Sequence, residues 1–257
     1  NIDMQSNATL SDGDAISEWK DLSGGKFDAT QSSSAARPSL DNDGFNSYPA
    51  MAFTPNDYME FPLDGHNSSE LTGFIVLKSN VVTAQAFLMK ATSSGGNNVW
   101  LGYGSFGNYW NTIIGEQTGG TAIKITDTPS DKRIDQLVIF EINHRAGGAN
   151  YLTDYIVNGE TLFANAAAGE LADATGKDWV IGADWDNTVL SDYFNGVIAE
   201  VILFDSSLSE SDSVKVRHYL SKKWGLESSM DSDSDGFVDD VEEDIGTSPI
   251  DATDMPI

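Results

Sequence analysis

Between residues 14 and 205 the chain alternates short apolar runs with clusters of Gly, Asn, Ser and Asp. The runs AISEWKDL, PAMAFT, DYMEFP, GFIVLK, AFLMK, NVWLGY, YWNTIIG, DQLVIFEINH, YLTDYIVNG, DWVIG and GVIAEVILFD each suit one strand. Runs of this length with turn residues between them predict antiparallel sheets packed as a sandwich. In GVIAEVILFD, strict alternation would put Val197, Ala199, Val201 and Leu203 on one face, and Ile198, Glu200, Ile202 and Phe204 on the other. Both faces are apolar apart from Glu200, which predicts a central strand covered on both sides. Glu200 is read as a carboxylate hydrogen-bonded in that covered sheet rather than as a catalytic group.

Helical periodicity enters once, in SESDSVKVRHYLSKKWG. Val216, Leu220 and Trp224 recur every fourth residue, Ser209 with Asp212 forms a start resembling a capping box, and Gly225 offers the stop. A helix following the last strand is expected to lie against an edge or face of the sandwich.

After this helix the pattern changes. DSDSDGFVDDVEED, Asp231 to Asp244, holds eight acids and no base. Without a cation such a stretch repels itself and cannot bury apolar surface. The spacing is that of a calcium loop. Asp231, Asp233, Asp235, Asp239 and Glu242 occupy the first, third, fifth, ninth and twelfth places, with Gly236 at the sixth and the carbonyl of Phe237 at the seventh. Calcium prefers six to eight oxygens, and Gly236 permits the sharp turn that brings them together. FVDDVEEDIG is expected to form a short exiting helix ended by Gly246, whereas LESSM is no ordinary entering helix. The stretch DSDSDGFVDDVEEDIGTSPIDATD resembles a thrombospondin type 3 or dockerin-like calcium repeat of secreted bacterial proteins, with Ser248 where such repeats carry Asp before proline. Asp251 and Asp254 look like the start of further ligation, so the chain reads as a piece of a longer array.

Charge narrows the partners. Against 40 Asp plus Glu stand 14 Lys plus Arg, a formal net charge of −26. Phosphate binding needs a basic face, so nucleic acid is excluded as an expected partner, and so is charge-driven adhesion to an anionic membrane. There is no cysteine, hence no disulfide framework or thiol chemistry. No apolar run approaches the roughly 18 residues of a membrane span. The calcium loop outweighs the missing cysteines and points to a secreted or cell-surface location.

The stretches AISEWKDLSGGKFDATQ, RPSL and YPAMAFTPNDYMEFP resemble the opening of bacterial laminin-G-like, concanavalin A-like jelly-roll domains. FNGVIAEVILFDSSLSESDSVKVRHYLSKKWGL is similar to their close: strand, turn, helix and terminal Trp-Gly. The resemblance implies an all-β, two-sheet antiparallel jelly roll over residues 1–226 with one C-terminal helix, followed by a calcium-binding appendage over residues 227–257. Members of the family bind sugars or proteins, or are attached to polysaccharide-degrading enzymes, so the fold transfers better than the ligand.

Catalysis is not expected. A retaining glycosidase needs two carboxylates about 5–5.5 Å apart, on a strand two positions apart on one face. No strand carries such a pair; Asp57 and Glu60 in DYMEF would point to opposite faces. His66, His144 and His218 have no spacing that brings them together. Sugar binding instead favours aromatic platforms beside amide or carboxylate partners. Two stretches offer this. NNVWLGYGSFGNYWN holds Asn97, Asn98, Trp100, Tyr103, Phe106, Tyr109 and Trp110, with a hairpin turn expected near residues 104–107. GADWDNTVLSDYFNG, expected as a loop, holds Trp185 between Asp184 and Asp186, then Asn187, Asp192 and Tyr193. Aromatics at alternating strand positions are usually core or cross-strand packing, and that reading is the favoured one for Trp100, Tyr103 and Trp110. The acids could hold a second calcium or form Asx turns. The expected function is a non-catalytic recognition module for a glycan or cell-surface ligand, joined to neighbouring domains of a longer chain. The alternatives are a structural spacer or protein-binding adhesion module and, third, a polysaccharide-active enzyme.

Overall fold

The computed structural model describes residues 10–62, 69–81, 83–91, 97–103, 110–114, 123–126, 133, 135–148, 150–171, 176–186 and 189–256. In chain order its first strands are β1 (Glu18–Trp19), β2 (Ala29–Thr30), β3 (Ser39–Phe45), β4 (Tyr48–Phe53), β5 (Met59–Phe61) and β6 (Leu71–Ser79). Next come β7 (Gln85–Ala91), β8 (Asn97–Tyr103), β9 (Trp110–Ile114), β10 (Ile123–Thr126), β11 (Leu137–Gly147), β12 (Asn150–Val157) and β13 (Glu160–Ala168). The last are β14 (Trp179–Ile181), β15 (Asp184–Asp186), β16 (Val189–Ser191) and β17 (Gly196–Phe204), followed by helices α1 (Glu210–Trp224) and α2 (Asp239–Ile245).

These strands form the expected sandwich of two antiparallel sheets. One sheet runs β1-β2-β5-β14-β7-β8-β9-β10 and the other β13-β12-β11-β6-β17-β4-β3, while β15 and β16 pair only with each other. Between the sheets lies the main core, which draws Met59, Phe87, Leu101, Trp179 and Ile181 from the first and Ile75, Phe140, Tyr155, Ile198 and Val201 from the second. Phe61 stacks on Trp179, and Phe140 meets Tyr155 edge to face at 4.5 Å between centroids.

Strand β17 departs from strict alternation. Its register against β6 slips between Ile198 and Glu200, so Ala199 and Glu200 both occupy the face away from the core. Val201 and Leu203 therefore join Ile198 inside, and the expected partition of the strand's side chains holds only up to residue 199. The strand is central and covered on both faces, as its composition predicts.

The outer face of the seven-stranded sheet is covered by α1. Ser209 caps the helix, its Oγ accepting from the Asp212 amide at 3.3 Å, and Gly225 ends it in the left-handed region at φ 68°. Asn46, in the β3–β4 turn, donates to the Lys223 carbonyl at 2.9 Å and satisfies an orphan acceptor of the last turn. The predicted Leu220 and Trp224 face the sheet, while Val216 is only half-buried. The position two turns before Trp224 on the buried face is Arg217, 1 % exposed, with Nε 2.6 Å from Glu141 of β11, itself 1 % exposed. A second buried pair lies further along: Glu200 accepts from Trp224 Nε1 at 2.7 Å and from Lys223 Nζ at 3.1 Å. Glu200 is thus structural, in agreement with the sequence reading.

Past Gly225 the chain stays on the sandwich. Leu226 and Met230 are buried in the same cluster as Leu220 and Trp224, so apolar packing continues across the expected boundary at residues 226 and 227.

Two outcomes are expected. Glu141→Ala should cost about 3–5 kcal/mol in urea melts, because it strips a buried guanidinium of its carboxylate, and Glu141→Leu with Arg217→Met should recover most of that loss. A single-variant cost under about 1 kcal/mol would remove the pair from its central role. The second concerns His144, which is buried in the core end of β11, bonded to Thr153 Oγ1 at 2.9 Å and stacked on Tyr151. Burial, more than the nearby Arg145, lowers its pKa from 6.5 to about 4. The unfolded chain then takes up this proton first, so the stability held above about pH 6.5 falls as pH drops toward about 4, by up to about 3 kcal/mol. Subtracting the stability-pH curve of His144→Gln from that of the wild type should isolate this slope; coincident curves would refute it.

Candidate functional site

Because strand side chains alternate, the residues of β7, β8 and β14 that do not enter the core form a second apolar surface on the outer face of the eight-stranded sheet. Ala86, Met89, Trp100, Val180 and Ala183 make its buried floor. Tyr58, Trp185, Leu190 and Tyr193 pack on that floor and remain partly exposed. The two aromatic stretches named from the sequence, some 85 positions apart, meet here: Trp100 and Trp185 belong to one cluster.

The second stretch is a hairpin rather than a loop. Trp185 of β15 pairs with Leu190 of β16, and Asp184 with Ser191. The chain then returns to the sheet through the Ala86 amide, which donates to the Asp192 carbonyl at 2.7 Å, and the Phe194 amide, which donates to that of Gly182 at 2.9 Å. Asp192 has φ 43°, a left-handed turn position that Asp tolerates. Tyr193 lies beside Tyr58, and burial first, then the Tyr58 phenol, raises its pKa.

Glu60 was set aside in the sequence, yet the β5–β14 register places it opposite Val180 on this outer face, and Asp178, just before β14, lies near enough for its charge to act on Glu60. Burial first, and then the charge of Asp178, raises the Glu60 carboxyl pKa. Aromatic edges with carboxylate acceptors beside them suit a ligand that is apolar on its C–H faces and hydroxylated at its rim.

Not every named residue sits where the sequence put it. Trp100 is 1 % exposed and forms the floor, so it offers no platform; its neighbours Val99 and Leu101 enter the main core. Asp184 is 4 % exposed and so lies beneath the surface rather than at its rim. Tyr103 opposes Trp110 across β8 and β9, which bears out the hairpin. Phe106, Tyr109 and Asn187 lie outside the described residues, as do the side chains of Asn97, Asn98, Tyr103, Trp110 and Asp186. Of the histidines, His144 is a core residue, His218 faces Asp239 at 3.3 Å, and His66 lies outside the described residues.

The acidic loop forms a second candidate site. Asp231, Asp233 and Asp235 each place one carboxylate oxygen within 4.8 Å of the others. Turning amides hold them: Gly236 N donates to Asp231 at 2.9 Å, and Phe237 N donates to Asp235 at 2.9 Å. Ser234 and Gly236 both have positive φ, 64° and 104°, which curls the backbone around the acids. Helix α2 follows and ends at Gly246, as predicted. Asp239 is otherwise engaged. It is fully buried and accepts from the Ser232 amide and hydroxyl, both at 2.9 Å, and from His218, so it braces the loop rather than joining the three clustered acids.

Glu242 supplies the test of whether the loop fits a cation. It is fully buried, and among the described residues neither carboxylate oxygen has a hydrogen-bond partner. Burial first, then the charges of Asp233, Asp235, Asp239 and Asp231, raises its pKa to about 7. Asp233 and Asp235 each have one further buried oxygen without a partner among the described residues. A buried carboxylate among like charges is costly unless a cation or donor meets it. The donor set, all hard oxygens, fits a hard divalent cation.

The profile of the concanavalin A-like lectin/glucanases superfamily matches residues 53–212, more than half of the chain, and the chain belongs to that superfamily. No curated protein matches it. Among solved structures, Trypanosoma rangeli sialidase in complex with sialic acid is similar at 12% identity and TM-score 0.53, over 83% of this chain and 32% of that one. Domain 4 of AbnA, a GH43 extracellular arabinanase from Geobacillus stearothermophilus, in complex with arabinotriose, matches at 12% identity and TM-score 0.45, over 67% of this chain and 77% of that one. The CBM40 of Ruminococcus gnavus IT-sialidase, bound to α2,3-sialyllactose, matches at 17% identity and TM-score 0.47, over 59% and 84%. At these identities the likeness is one of fold.

Proposed function

We propose, from the premise that the chain belongs to the concanavalin A-like lectin/glucanases superfamily, that it is a non-catalytic glycan-recognition module of a secreted or surface-exposed protein. The observation that carries this reading is the convergence of Tyr58, Trp185 and Tyr193 on one face of the sheet, with Glu60 and Asp178 beside them. Aromatic faces stack on sugar C–H surfaces, and the carboxylates accept hydroxyl hydrogen bonds. In this reading residues 227–257 are a calcium repeat of the thrombospondin type 3 kind, in which Asp231, Asp233, Asp235 and Glu242 hold Ca²⁺ together with the Phe237 carbonyl. The orphaned Glu242 supports that assignment, because calcium supplies the charge its site lacks. An extracellular setting suits a carboxylate loop, since calcium is plentiful there.

Three measurements follow. A glycan array probed in millimolar calcium should return selective hits that Trp185→Ala and Tyr193→Ala reduce about tenfold or more, as expected for loss of an aromatic contact worth about 1–3 kcal/mol. A blank array with folded protein would favour the spacer reading. Hydrolysis assays on any glycan bound should show no turnover; turnover lost in Glu60→Gln would overturn the non-catalytic assignment. In calorimetric titration, Glu242→Gln should weaken calcium at least tenfold, and unchanged binding would remove Glu242 from the ligand set.

A further inference from the structure

The acidic loop is held to the sandwich by a closed ring of contacts. Its ligand residue Asp231 donates its amide to the Asn158 carbonyl at 3.4 Å, and Ser234 Oγ donates to the Gly159 carbonyl at 2.8 Å. Asn158 and Gly159 are the two-residue turn between β12 and β13, with φ 50° and 79°. The fit is close enough that a Cβ on Gly159 would fall 1.6 Å from the Asp231 carbonyl oxygen. The same turn is tied to the sheet: the Asn158 side chain accepts from the Ile139 amide at 2.7 Å, and the Asn158 amide donates to the Ile139 carbonyl at 2.9 Å. Two residues along β11 stands Glu141, bonded to Arg217, whose Nη1 returns to the loop by donating to the Ser232 carbonyl at 2.9 Å. Ser232 in turn bonds Asp239, at the start of α2.

We infer that cation binding in this loop is coupled through Asn158–Gly159 and Arg217 to the sandwich, so that the metal stabilises the recognition domain itself and not only the segment that follows it. The inference rests on the calcium reading above. Loop and sandwich share three hydrogen bonds: a main-chain bond from Asp231, which carries the first ligand, to the β12–β13 turn, the Ser234 hydroxyl to the same turn, and the Arg217 side chain of α1 to the Ser232 carbonyl. Empty, the loop holds clustered carboxylates whose repulsion is relieved by opening, and opening withdraws the bonds that Asn158, Gly159 and Arg217 make to it. Filled, the loop is compact and those bonds persist. Gly159 is a positioning residue in this scheme: it touches no cation, and its missing side chain lets the Asp231 backbone approach.

The test has a clean reporter, because all six tryptophans precede residue 225 and none lies in the acidic segment. Thermal unfolding of the whole chain followed by tryptophan fluorescence, with calcium near a hundredfold excess over its Kd, should give a midpoint about 5–10 °C above that in chelator. Calorimetry on the same protein measures binding separately. Ser234→Ala and Gly159→Ala, which leave every proposed ligand in place, should shrink the calcium-induced shift to about half and weaken calcium roughly tenfold. Ser234→Ala keeps the test open should Gly159→Ala fail to fold. If calorimetry shows calcium bound while the tryptophan midpoint stays put, the coupling is wrong and the calcium reading stands. If calorimetry shows no binding, both fall.

Discussion

The buried ion pair between Glu141 and Arg217 is the contact on which the architecture turns. A carboxylate in the middle of a covered sheet and a guanidinium on the buried face of a helix are each costly alone, and each is tolerable only while the other is in place. That mutual dependence fixes α1 in one position along β11, which a purely apolar stripe would leave free to slide. The second pair, Glu200 with Lys223 and Trp224, fixes the far end of the same helix, and Lys223 also lies over the rings of Tyr48, Tyr219 and Trp224. Two polar fasteners about two turns apart on the helix determine both position and tilt. Hydrophobic burial stabilises the layer, and the ion pairs select its geometry.

How far the sequence foretold this depends on which interaction decides each feature. Strands with β-branched or aromatic alternation, such as β6, β11 and β17, were legible because their own side chains specify them. Strand β13, ETLFANAAA, was not foreseen; its alanines have little β preference, and it exists because β12 offers an edge to pair with. The slip in β17 at Ala199 and Glu200 was equally hidden, since a bulge is set by the partner strand. Helix α1 was found from Val216, Leu220 and Trp224, yet its buried face runs through Arg217, a residue whose charge ordinarily places it in solvent. The missing signal was the pairing of two charges 76 positions apart, Glu141 and Arg217.

The aromatic site follows the same logic. Composition marked both aromatic stretches, but no count of aromatics separates Trp100, the floor, from Trp185, which lies on top of it. What separates them is the neighbouring pattern. Trp100 sits between Val99 and Leu101 in a seven-residue strand paired on both sides, whereas Trp185 sits between two aspartates in a three-residue strand of a separate hairpin. Glu60 was set aside because its relevance comes from the β5–β14 pairing, and Tyr58, just before β5, was not singled out because it becomes meaningful only once Tyr193 stands beside it. An aromatic surface built across strands is a property of register, and register is the part of a β fold that local sequence specifies least.

The acidic segment shows the opposite balance, in which local sequence specifies nearly everything. The spacing of Asp231, Asp233, Asp235, Gly236 and Glu242 sets the turn, and the structure draws three of those acids together. What the spacing does not convey is where the loop attaches. Asp239, the ninth-position acid, is committed to Ser232 and His218, and Ser232 to Arg217, so the loop is joined to α1 through the residue that joins α1 to the sheet. A chain with a formal charge of −26 pays for compactness with self-repulsion that is steepest where acids crowd. Placing that crowding against the helix's own fastener makes the most repulsive part of the molecule a neighbour of the contact its fold needs most. A cation there would relieve both at once, and for that reason the loop is better understood as part of the domain's construction than as an attachment to it.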